Sequence, residues 1–450
     1  MTATSADAGL TVVGIGADGW AGLGDAGRRA LRTAEVVLGG RRQLDLLPAE
    51  LPAQRVSWPS PLLPALPGLL DRYADRRLAV LASGDPMWFG IGVRIVELVG
   101  PDRVRMLPHP SSISLACARL GWPVERVTVV SAVGRDLARV RRVLAPGRRI
   151  LVLSADASTP SALAALLTEA GYGPSPLVVL SSLESSGSLG SPAPLGSPGS
   201  PGPLGSPGPL GSSGPLGSPG PLGSSGREQQ LAGTAEEWSH PPGDPLNVVA
   251  VHATAGPEAV LRSTVPGLPD EAYAHDGALT KREARALALA RLAPAPDELL
   301  WDVGAGSGSI GIEWLRAEPN ARAVAVEARA DRAERIAGNA SALGVPELTV
   351  VVGRAPAALA GLPTPEAVFV GGGLATDGVL DACWAALAPG GRLVAHAVTI
   401  EGERELTIRA NRLGGDLTRL AVERAAPLGG FTAWKPARAL VQWAVVKPCR

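Results

Sequence analysis

The sequence has few cysteines, no excess of charge of one sign and no long apolar run, and each absence excludes a class of protein. Its three cysteines, Cys117, Cys383 and Cys449, lie too far apart for a metal-binding spacing, so we expect reduced thiols in a cytoplasmic protein and no metal. Lys+Arg and Asp+Glu are both 42, which argues against a broad basic face for nucleic acid. No segment approaches the roughly 18 uninterrupted apolar residues of a membrane-spanning helix, and residues 1–10 lack the features of a signal peptide.

The length of 450 residues predicts two or three domains, and a composition of 46% hydrophobic and 19% charged residues is typical of a globular protein. In the first part of the chain, short apolar strands alternate with helical patterns, which is typical of an α/β domain. We predict this domain over residues 8–255. Its strands are expected at 10–15, 78–82, 104–107, 127–130, 150–153, 177–180 and 246–251.

A low-complexity insert at 187–226 interrupts this first domain. It consists almost entirely of Gly, Pro, Ser and Leu, with glycine at every third position from Gly196 to Gly226. That spacing is the collagen period, but a triple helix would need three chains to meet at this loop. A segment with so little to bury is expected to be disordered instead. Since strand patterns lie on both sides of it, the insert is expected within a hairpin-like connection and not between two domains.

A second α/β domain is predicted over residues 267–450. Helical patterns cover 281–292, 310–317, 330–343 and 379–387, and strand patterns cover 299–303, 323–326, 348–352, 367–370 and 392–397. Together they predict a doubly wound, Rossmann-like parallel sheet. A late pair of strands is expected near 417–422 and 440–446.

The clearest candidate site in this second domain is a glycine-rich loop that follows the strand at 299–303. Glycines allow a tight turn and let a ligand approach the backbone, and the next helix presents free N–H groups. Glu327 ends the following strand, 19 residues after Gly308, where a carboxylate can accept both ribose hydroxyls of an adenosine. The alternative is a plain glycine turn with a surface glutamate, but the ordered set of Asp302, three glycines and Glu327 favours a nucleotide site.

The spacing of the glycines distinguishes between nucleotides. A dinucleotide fingerprint needs a third glycine at position 309, and the chain has Ser309 there. The pattern G-x-G-x-G instead resembles the loop of S-adenosylmethionine (SAM)-dependent methyltransferases. After the strand at 367–370 come Gly371, Gly372 and Gly373 instead of the polar motif of enzymes that methylate base amines. Three glycines at this place leave room for a bulky substrate.

Several motifs together resemble two known methyltransferase families. The second domain resembles the CbiT family through DEAY at 270–273, DGALTKRE at 276–283, the loop at 302–311, HAVTIE at 396–401, GGFTAW at 429–434 and QW at 442–443. The first domain resembles the CbiE branch of the two-lobed tetrapyrrole methylases through VGIGADGW at 13–20, SGDP at 83–86, PSSIS at 110–114 and ARLG at 118–121. One departure is Ala17-Asp18, where many tetrapyrrole methylases have Pro-Gly. The fusion is similar to the CobL family of decarboxylating precorrin-6B C5,15-methyltransferases.

The resemblance implies a bifunctional enzyme of cobalamin biosynthesis. It would methylate carbons 5 and 15 of precorrin-6B and remove the carboxyl group of the ring C acetate, giving precorrin-8X. Two SAM sites per chain are implied, with contacts in the first domain from Gly16, Ser83, Gly84, Asp85, Trp88, Ser111 and Ser112. In the second domain the implied contacts are Thr280, Asp302, Gly304, Ala305, Gly306, Ser307, Gly308, Glu327 and Ala355.

Side chains for the carboxylate-rich substrate are expected near Thr280. Lys281, Arg282 and Arg285 are the candidates, because cationic side chains pair with carboxylates, although a solvated helix face is the alternative for each of them. His396 is a candidate proton donor after decarboxylation, although a histidine at a strand end is more often a packed structural residue.

The sequence leaves two rival functions open, an RNA methyltransferase and a first domain that only binds substrate or holds an oligomer together. We expect a homo-oligomer, and no partner that is a membrane or a nucleic acid.

Overall fold

A computed structural model describes residues 9–183 and 228–449. The chain divides into two compact units, Met1–Arg135 with Pro146–Ala259, and Asp136–Ala145 with Val260–Arg450. The segment Asp136–Ala145, which the predicted boundaries 8–255 place in the first domain, is grouped here with the second unit. The insert at 187–226, predicted to be disordered, lies outside the described residues. Within those residues no helix combines the length and apolar character needed to cross a membrane.

The first sheet of the first unit is wholly parallel, with the strand order β3-β2-β4-β1-β5. Its strands are β1 (Leu10–Ile15), β2 (Val36–Gly39), β3 (Gln54–Ser57), β4 (Leu78–Ser83) and β5 (Val104–Leu107), and its helices are α1 (Asp25–Thr33), α2 (Arg41–Asp45), α3 (Leu62–Arg72) and α4 (Ile91–Val99). Because β1 lies between β4 and β5, the loops that follow these three strands meet at the carboxyl edge of the sheet.

The second sheet of the first unit is mixed, with the order β6-β7-β10-β8-β9. Its strands are β6 (Val127–Ser131), β7 (Arg149–Leu153), β8 (Pro176–Ser181), β9 (Gln229–Thr234) and β10 (Asn247–His252). The accompanying helices in chain order are α5 (Ser112–Leu120), α6 (Val140–Val143), which falls in the segment grouped with the second unit, and α7 (Thr159–Glu169). Strands β8 and β9 are antiparallel and pair Ser181 with Gln229. The residues that flank the insert are therefore held side by side, so an insertion here needs no rearrangement of the sheet.

The second unit has a seven-stranded sheet with the order β13-β12-β11-β14-β15-β19-β16, in which only the pairings of β19 are antiparallel. Its strands are β11 (Leu299–Val303), β12 (Arg322–Glu327), β13 (Thr349–Val352), β14 (Ala367–Val370), β15 (Arg392–Ala397), β16 (Asp416–Leu420) and β19 (Leu440–Val446). Its helices are α8 (Arg282–Leu292), α9 (Ser309–Ala317), α10 (Ala330–Ala342), α11 (Val379–Ala386) and α12 (Ile400–Leu413). Separate apolar cores cover the two faces, with α8, α9 and α10 on one and α11 and α12 on the other.

A small antiparallel hairpin, β17 (Glu423–Leu428) and β18 (Phe431–Pro436), extends from the second unit as a sheet of its own. Short 3-10 helices complete the described structure at Gly19–Ala21, Pro101–Arg103, Val124–Arg126, Leu137–Arg139, Asp270–Ala272 and Ala357–Leu359.

Candidate active sites

The glycine loop of the second unit, residues 304–308, follows the central strand β11 and leads into α9. Gly304, Gly306 and Gly308 all have left-handed backbone conformations, with φ values of +69°, +61° and +77°. A Cβ atom at Gly304 would lie 2.6 Å from the Cα of Gly372, and one at Gly308 would lie 2.6 Å from the Cγ2 of Ile336. Side chains are therefore excluded by backbone conformation and by packing, before any ligand is considered. Gly372 has no side chain and so permits this close approach to Gly304. The glycines after β14 are therefore needed for packing as well as for leaving room for a substrate.

Glu327 ends β12 beside this loop and is 5% exposed. Its Oε2 accepts a 2.8 Å hydrogen bond from the N–H of Gly306, and its Oε1 accepts a 3.0 Å bond from the N–H of Arg329. A carboxylate oxygen can accept two hydrogen bonds. Each oxygen of Glu327 therefore retains one acceptor position, and the two together match the paired hydroxyls of a ribose.

Asp302 is buried beneath the loop and not at its surface. Its Oδ2 accepts a 3.0 Å hydrogen bond from the N–H of Gly311 in the first turn of α9, so the carboxyl ties β11 to that helix. Burial raises the pKa of the Asp302 carboxyl from 3.8 to about 7; the Gly311 bond opposes this rise, and the charge of Glu327 adds to it.

A segment that we call the strap, residues 267–281, lies against the glycine loop. A Cβ atom at Gly306 would come within 3.0 Å of the carbonyl oxygen of Ala278. Asn339 on α10 joins the two segments: its amide accepts from the N–H of Ala274 at 2.9 Å and donates to the carbonyls of Ala274 and Ser307, both at 3.0 Å. The strap also contains Thr280, so this predicted donor contact lies in a segment that is fixed to the glycine loop.

The structure does not support a substrate-binding role for Arg285. Its side chain is 0% exposed and forms an ion pair of 2.7 Å with the buried Glu313. Further donors of the guanidinium bond the carbonyls of Thr280 and Leu268 and the carboxylate of Asp270. With four of its five N–H donors used inside the protein, Arg285 holds the strap and has no cationic edge to offer a ligand.

Lys281 and Arg282, the other two candidates for the substrate, are both exposed at the start of α8. The Lys281 ammonium lies 3.3 Å from a carboxylate oxygen of Asp270, with its side chain 53% exposed. An exposed ion pair of this kind is weak and can exchange partners. Their substrate role remains a prediction.

The structure also does not support His396 as a proton donor. The side chain is 7% exposed, its Nε2 lies 2.9 Å from the Oε1 of Gln442, and its ring packs edge-on against Phe369 with centroids 4.9 Å apart. Burial lowers the pKa of His396 to about 4, although the Gln442 hydrogen bond opposes this shift. At neutral pH the imidazole is therefore almost entirely uncharged and holds no excess proton to give.

Two other predicted contacts complete this edge of the sheet. Ala355 follows β13, the neighbour of β12, and is half-buried against the second core cluster. Ser307 lies within the glycine loop, and its hydroxyl is buried without a hydrogen-bond partner among the described residues. A polar atom of this kind is uncommon in a folded protein unless a ligand or water satisfies it.

In the first unit, the loops after β1, β4 and β5 come together through close backbone contacts. A Cβ atom at Gly14 would lie 2.1 Å from the carbonyl oxygen of Gly84. Gly84, with a φ of +60°, donates to the carbonyl of Ile15 at 3.1 Å, and a side chain there would approach the Cα of Ser111 at 3.1 Å. The fold thus brings together the loops that contain Gly16, Gly84 and Ser111.

The remaining predicted contacts of this unit have defined local roles. Ser83 Oγ accepts a 3.0 Å hydrogen bond from the side-chain amide of Gln43, and the carboxylate of Asp85 accepts a 2.9 Å hydrogen bond from the N–H of Met87. Ser111 caps α5 by accepting from Ser114, and Ser112 is the first residue of that helix. Trp88 is 43% exposed.

The sequence did not predict two buried polar residues that hold the strap together with Arg285, namely Asn339 and Glu313. Both lie on buried helix faces among apolar residues, next to Ala340 and Trp314 respectively. A polar residue at such a position is the signal, because buried polar groups are retained where they are hydrogen-bonded. The signal shows that a partner exists but does not identify it.

Comparison with known proteins agrees with this arrangement. The family model described as "Precorrin methyltransferase domain" matches residues 271–447, and the model described as "Tetrapyrrole (Corrin/Porphyrin) Methylases" matches residues 9–183. The expected fold class, a tetrapyrrole-methylase domain followed by a Rossmann-like methyltransferase domain, is confirmed.

Curated relatives match both the whole chain and parts of it. A precorrin-6Y C(5,15)-methyltransferase [decarboxylating] of Sinorhizobium is 43% identical over 97% of this chain and 96% of its own length. A cobalt-precorrin-7 C(5)-methyltransferase of Salmonella typhimurium is 30% identical over 39% of this chain and 85% of its own. A probable cobalt-precorrin-6B C(15)-methyltransferase (decarboxylating) of Pyrobaculum calidifontis is 34% identical over 37% of this chain and 89% of its own.

The buried carboxyl of Asp302 predicts an unusual pH dependence of stability. A carboxyl whose pKa rises on folding stabilises the native state fully below 3.8, and that contribution is lost as the pH rises through about 7. The variant Asp302→Asn keeps an acceptor for Gly311 but cannot ionise. Between pH 4 and pH 8, the wild type should lose a few kcal/mol of unfolding free energy relative to this variant, as measured by urea unfolding. Parallel pH profiles of the two proteins would refute the assignment, and Asp377→Asn, at an exposed aspartate, is the control.

The bridge made by Asn339 predicts an effect on donor binding. In Asn339→Leu the strap loses its hydrogen bonds to α10, so the donor KM should rise about tenfold while kcat changes less, as measured by initial rates of methyl transfer. Gly338→Ala, one residue away where a side chain meets open space, should leave both constants unchanged. A folded Asn339→Leu protein with the wild-type donor KM would contradict the bridging role.

Proposed function

The chain belongs to the family of decarboxylating precorrin-6Y C(5,15)-methyltransferases, and from this premise we propose that it methylates carbons 5 and 15 of precorrin-6Y and removes the carboxyl group of the ring C acetate. Precorrin-6Y is another name for precorrin-6B. The product is precorrin-8X, an intermediate of cobalamin biosynthesis. The chain is therefore a methyltransferase, as its sequence motifs predict.

The observation that carries this proposal is the arrangement of Glu327 beside the glycine loop. Two backbone N–H groups fix the carboxylate, and one acceptor position on each oxygen remains for a ribose. Loop 304–308 lies at the carboxyl edge of a parallel sheet, where open α/β sheets bind their ligands. These features support SAM as the methyl donor of the second unit.

We infer that the first unit holds a second molecule of SAM, giving two sites per chain. Support comes from the loops at Gly16, Gly84 and Ser111, whose backbones meet at the carboxyl edge of the first sheet. A site built from backbone and small residues needs few charged side chains, which fits the residue types present in these loops.

The division of labour follows from the names of the partial relatives. One is a C(5)-methyltransferase and the other is a decarboxylating C(15)-methyltransferase, and each matches little more than a third of this chain. We infer that the first unit methylates carbon 5 and the second methylates carbon 15. Since the C(5) enzyme is named for cobalt-precorrin-7 and the C(15) enzyme for cobalt-precorrin-6B, the proposed order is carbon 15 first.

The proposed reaction needs little acid–base catalysis from the second unit. The attacking carbon belongs to an electron-rich reduced macrocycle, so alignment with the donor and exclusion of water supply most of the acceleration. The strap and the glycine loop support a fixed site geometry, and we propose that Lys281 and Arg282 pair with substrate carboxylates. The macrocycle accepts the electron pair of the C–C bond that breaks as carbon dioxide leaves. The former acetate carbon then takes up a proton, and we do not assign that proton to the uncharged imidazole of His396.

We also propose that the protein is a homo-oligomer of the cytoplasm. The hairpin β17–β18 exposes Leu428, Phe431 and Trp434 at 66%, 83% and 71%. Leu428 pairs with Phe431 across the strands, whereas Trp434 points to the other face of the ribbon, so both faces carry a large apolar side chain. An isolated two-stranded ribbon with such faces gains stability when a second copy covers it.

The proposed reaction can be tested with precorrin-6Y and SAM followed by mass spectrometry. The wild-type chain should add two methyl groups and remove one carboxyl group. Gly84→Ala, which places a Cβ at a left-handed position against Ser111, should accumulate a product with one methyl group added and the carboxyl lost. Glu327→Gln should leave most of the substrate unconverted. Unchanged substrate with folded wild-type protein would refute the function, and the reverse pattern in the two variants would refute the division of labour.

If the hairpin β17–β18 forms the contact between copies of the chain, charges on it should reduce the oligomeric state. The double variant Phe431→Glu with Trp434→Glu should lower the molar mass measured by light scattering, because charges replace both apolar faces. Ile408→Glu, at a half-exposed apolar residue of α12, is the matched control and should keep the wild-type mass. A double variant with the wild-type mass would exclude the hairpin as the contact.

A further inference from the structure

The loop after β4 in the first unit displays three successive large apolar residues at the protein surface. Met87, Trp88 and Phe89 are 46%, 43% and 50% exposed. Phe89 also has a φ of +55°, a left-handed conformation that is unfavourable for a bulky side chain. The exposed apolar surface and the strained backbone both lower the stability of the folded state. Features of this kind are concentrated at binding sites.

This loop is held in one shape by its own backbone. The N–H of Trp88 donates to the carbonyl of Asp85 at 3.1 Å, and the N–H of Gly92 donates to the carbonyl of Pro86 at 3.0 Å. A Cβ at Gly90 would lie 2.5 Å from that same Pro86 oxygen. The aromatic side chains are therefore presented by a preorganised turn, which lowers the entropy lost when a ligand binds.

An arginine from the second sheet of the same unit completes the surface. Arg135 follows β6, and its guanidinium carbon lies 5.2 Å from the centroid of the Phe89 ring. Trp88 packs edge-on against the same ring, with centroids 6.4 Å apart. Across residues 9–183 and 228–449, Arg135 forms no ion pair. A guanidinium stacked on a ring keeps its N–H edge available, and that edge matches a carboxylate.

We propose that Phe89 and Arg135 form a binding surface for the carboxylate-bearing tetrapyrrole in the first unit. The Phe89 ring packs against an apolar part of the macrocycle, and the Arg135 guanidinium pairs with a peripheral carboxylate. The placement suits methyl transfer because Gly84, a predicted donor contact, lies five residues before Phe89 in the same loop. This inference rests on the proposed function, which supplies the substrate, and it gives Phe89 and Arg135 a role that is separate from donor binding.

The test uses the full chain with precorrin-6Y and SAM, because the first methylation serves as an internal control. Phe89→Gly fits the left-handed backbone, so it should not lower the unfolding temperature, and Arg135→Gln removes the charge. In both variants the methylation of carbon 15 should proceed at the wild-type rate. The product with one methyl group should then accumulate, with its apparent KM in the second methylation raised about tenfold and the donor KM unchanged.

Two further variants separate the explanations. Arg135→Lys keeps the charge but not the planar stack and should be impaired by several-fold, whereas Arg126→Gln, at an exposed arginine just before β6, should match the wild type. A wild-type KM for the second methylation in both Phe89→Gly and Arg135→Gln would overturn the proposal. A raised donor KM would also overturn the proposal, because it would assign the surface to the donor. An altered oligomeric mass with unchanged kinetics would overturn it as well, because it would assign the surface to a contact between copies of the chain. Failure of the proposed function itself would appear differently, as no conversion by the wild type.

Discussion

Both units depend on the same constraint, a backbone-to-backbone approach at the carboxyl ends of neighbouring parallel strands that only glycine allows. In the first unit, Gly14 lies so close to Gly84 that an added Cβ would sit 2.1 Å from a carbonyl oxygen. In the second, Gly304 approaches Gly372 so that an added Cβ would sit 2.6 Å from the facing Cα. These contacts set the conformations of the loops that contain Gly84 and residues 304–308. The glycines are therefore required by the protein's own packing as well as by any ligand.

In the second unit, Arg285, a charge that the sequence suggests for the substrate, serves the interior instead. Arg285 and Glu313 form a buried pair that positions the strap, and Asn339 fastens the strap to the glycine loop. Breaking a buried pair leaves an uncompensated charge, so such a network fixes geometry strongly. The proposed donor site is therefore built on a buried hydrogen-bonded network and has few reactive groups, which suits a reaction governed by alignment.

Much of the fold and part of the site could be predicted from the sequence. Interior strands such as Leu299–Val303 and Leu440–Val446 are mostly apolar, each with one polar residue, and lie where the sequence patterns predict them. The short strand Val36–Gly39 was not predicted, and the ribbon β17–β18 was not predicted because its exposed strands do not alternate clearly. The structure does not support the predicted roles of Arg285 and His396, because both side chains are buried and burial depends on tertiary contacts that no local pattern contains.

The central claim is that one chain carries two methyl-donor sites built on the same backbone principle. Calorimetric titration of the full chain with S-adenosylhomocysteine, the product form of the donor, tests it most directly. Two binding sites per chain are predicted, with one lost in Glu327→Gln and the other retained. A stoichiometry of one site per chain in the wild-type protein would contradict it.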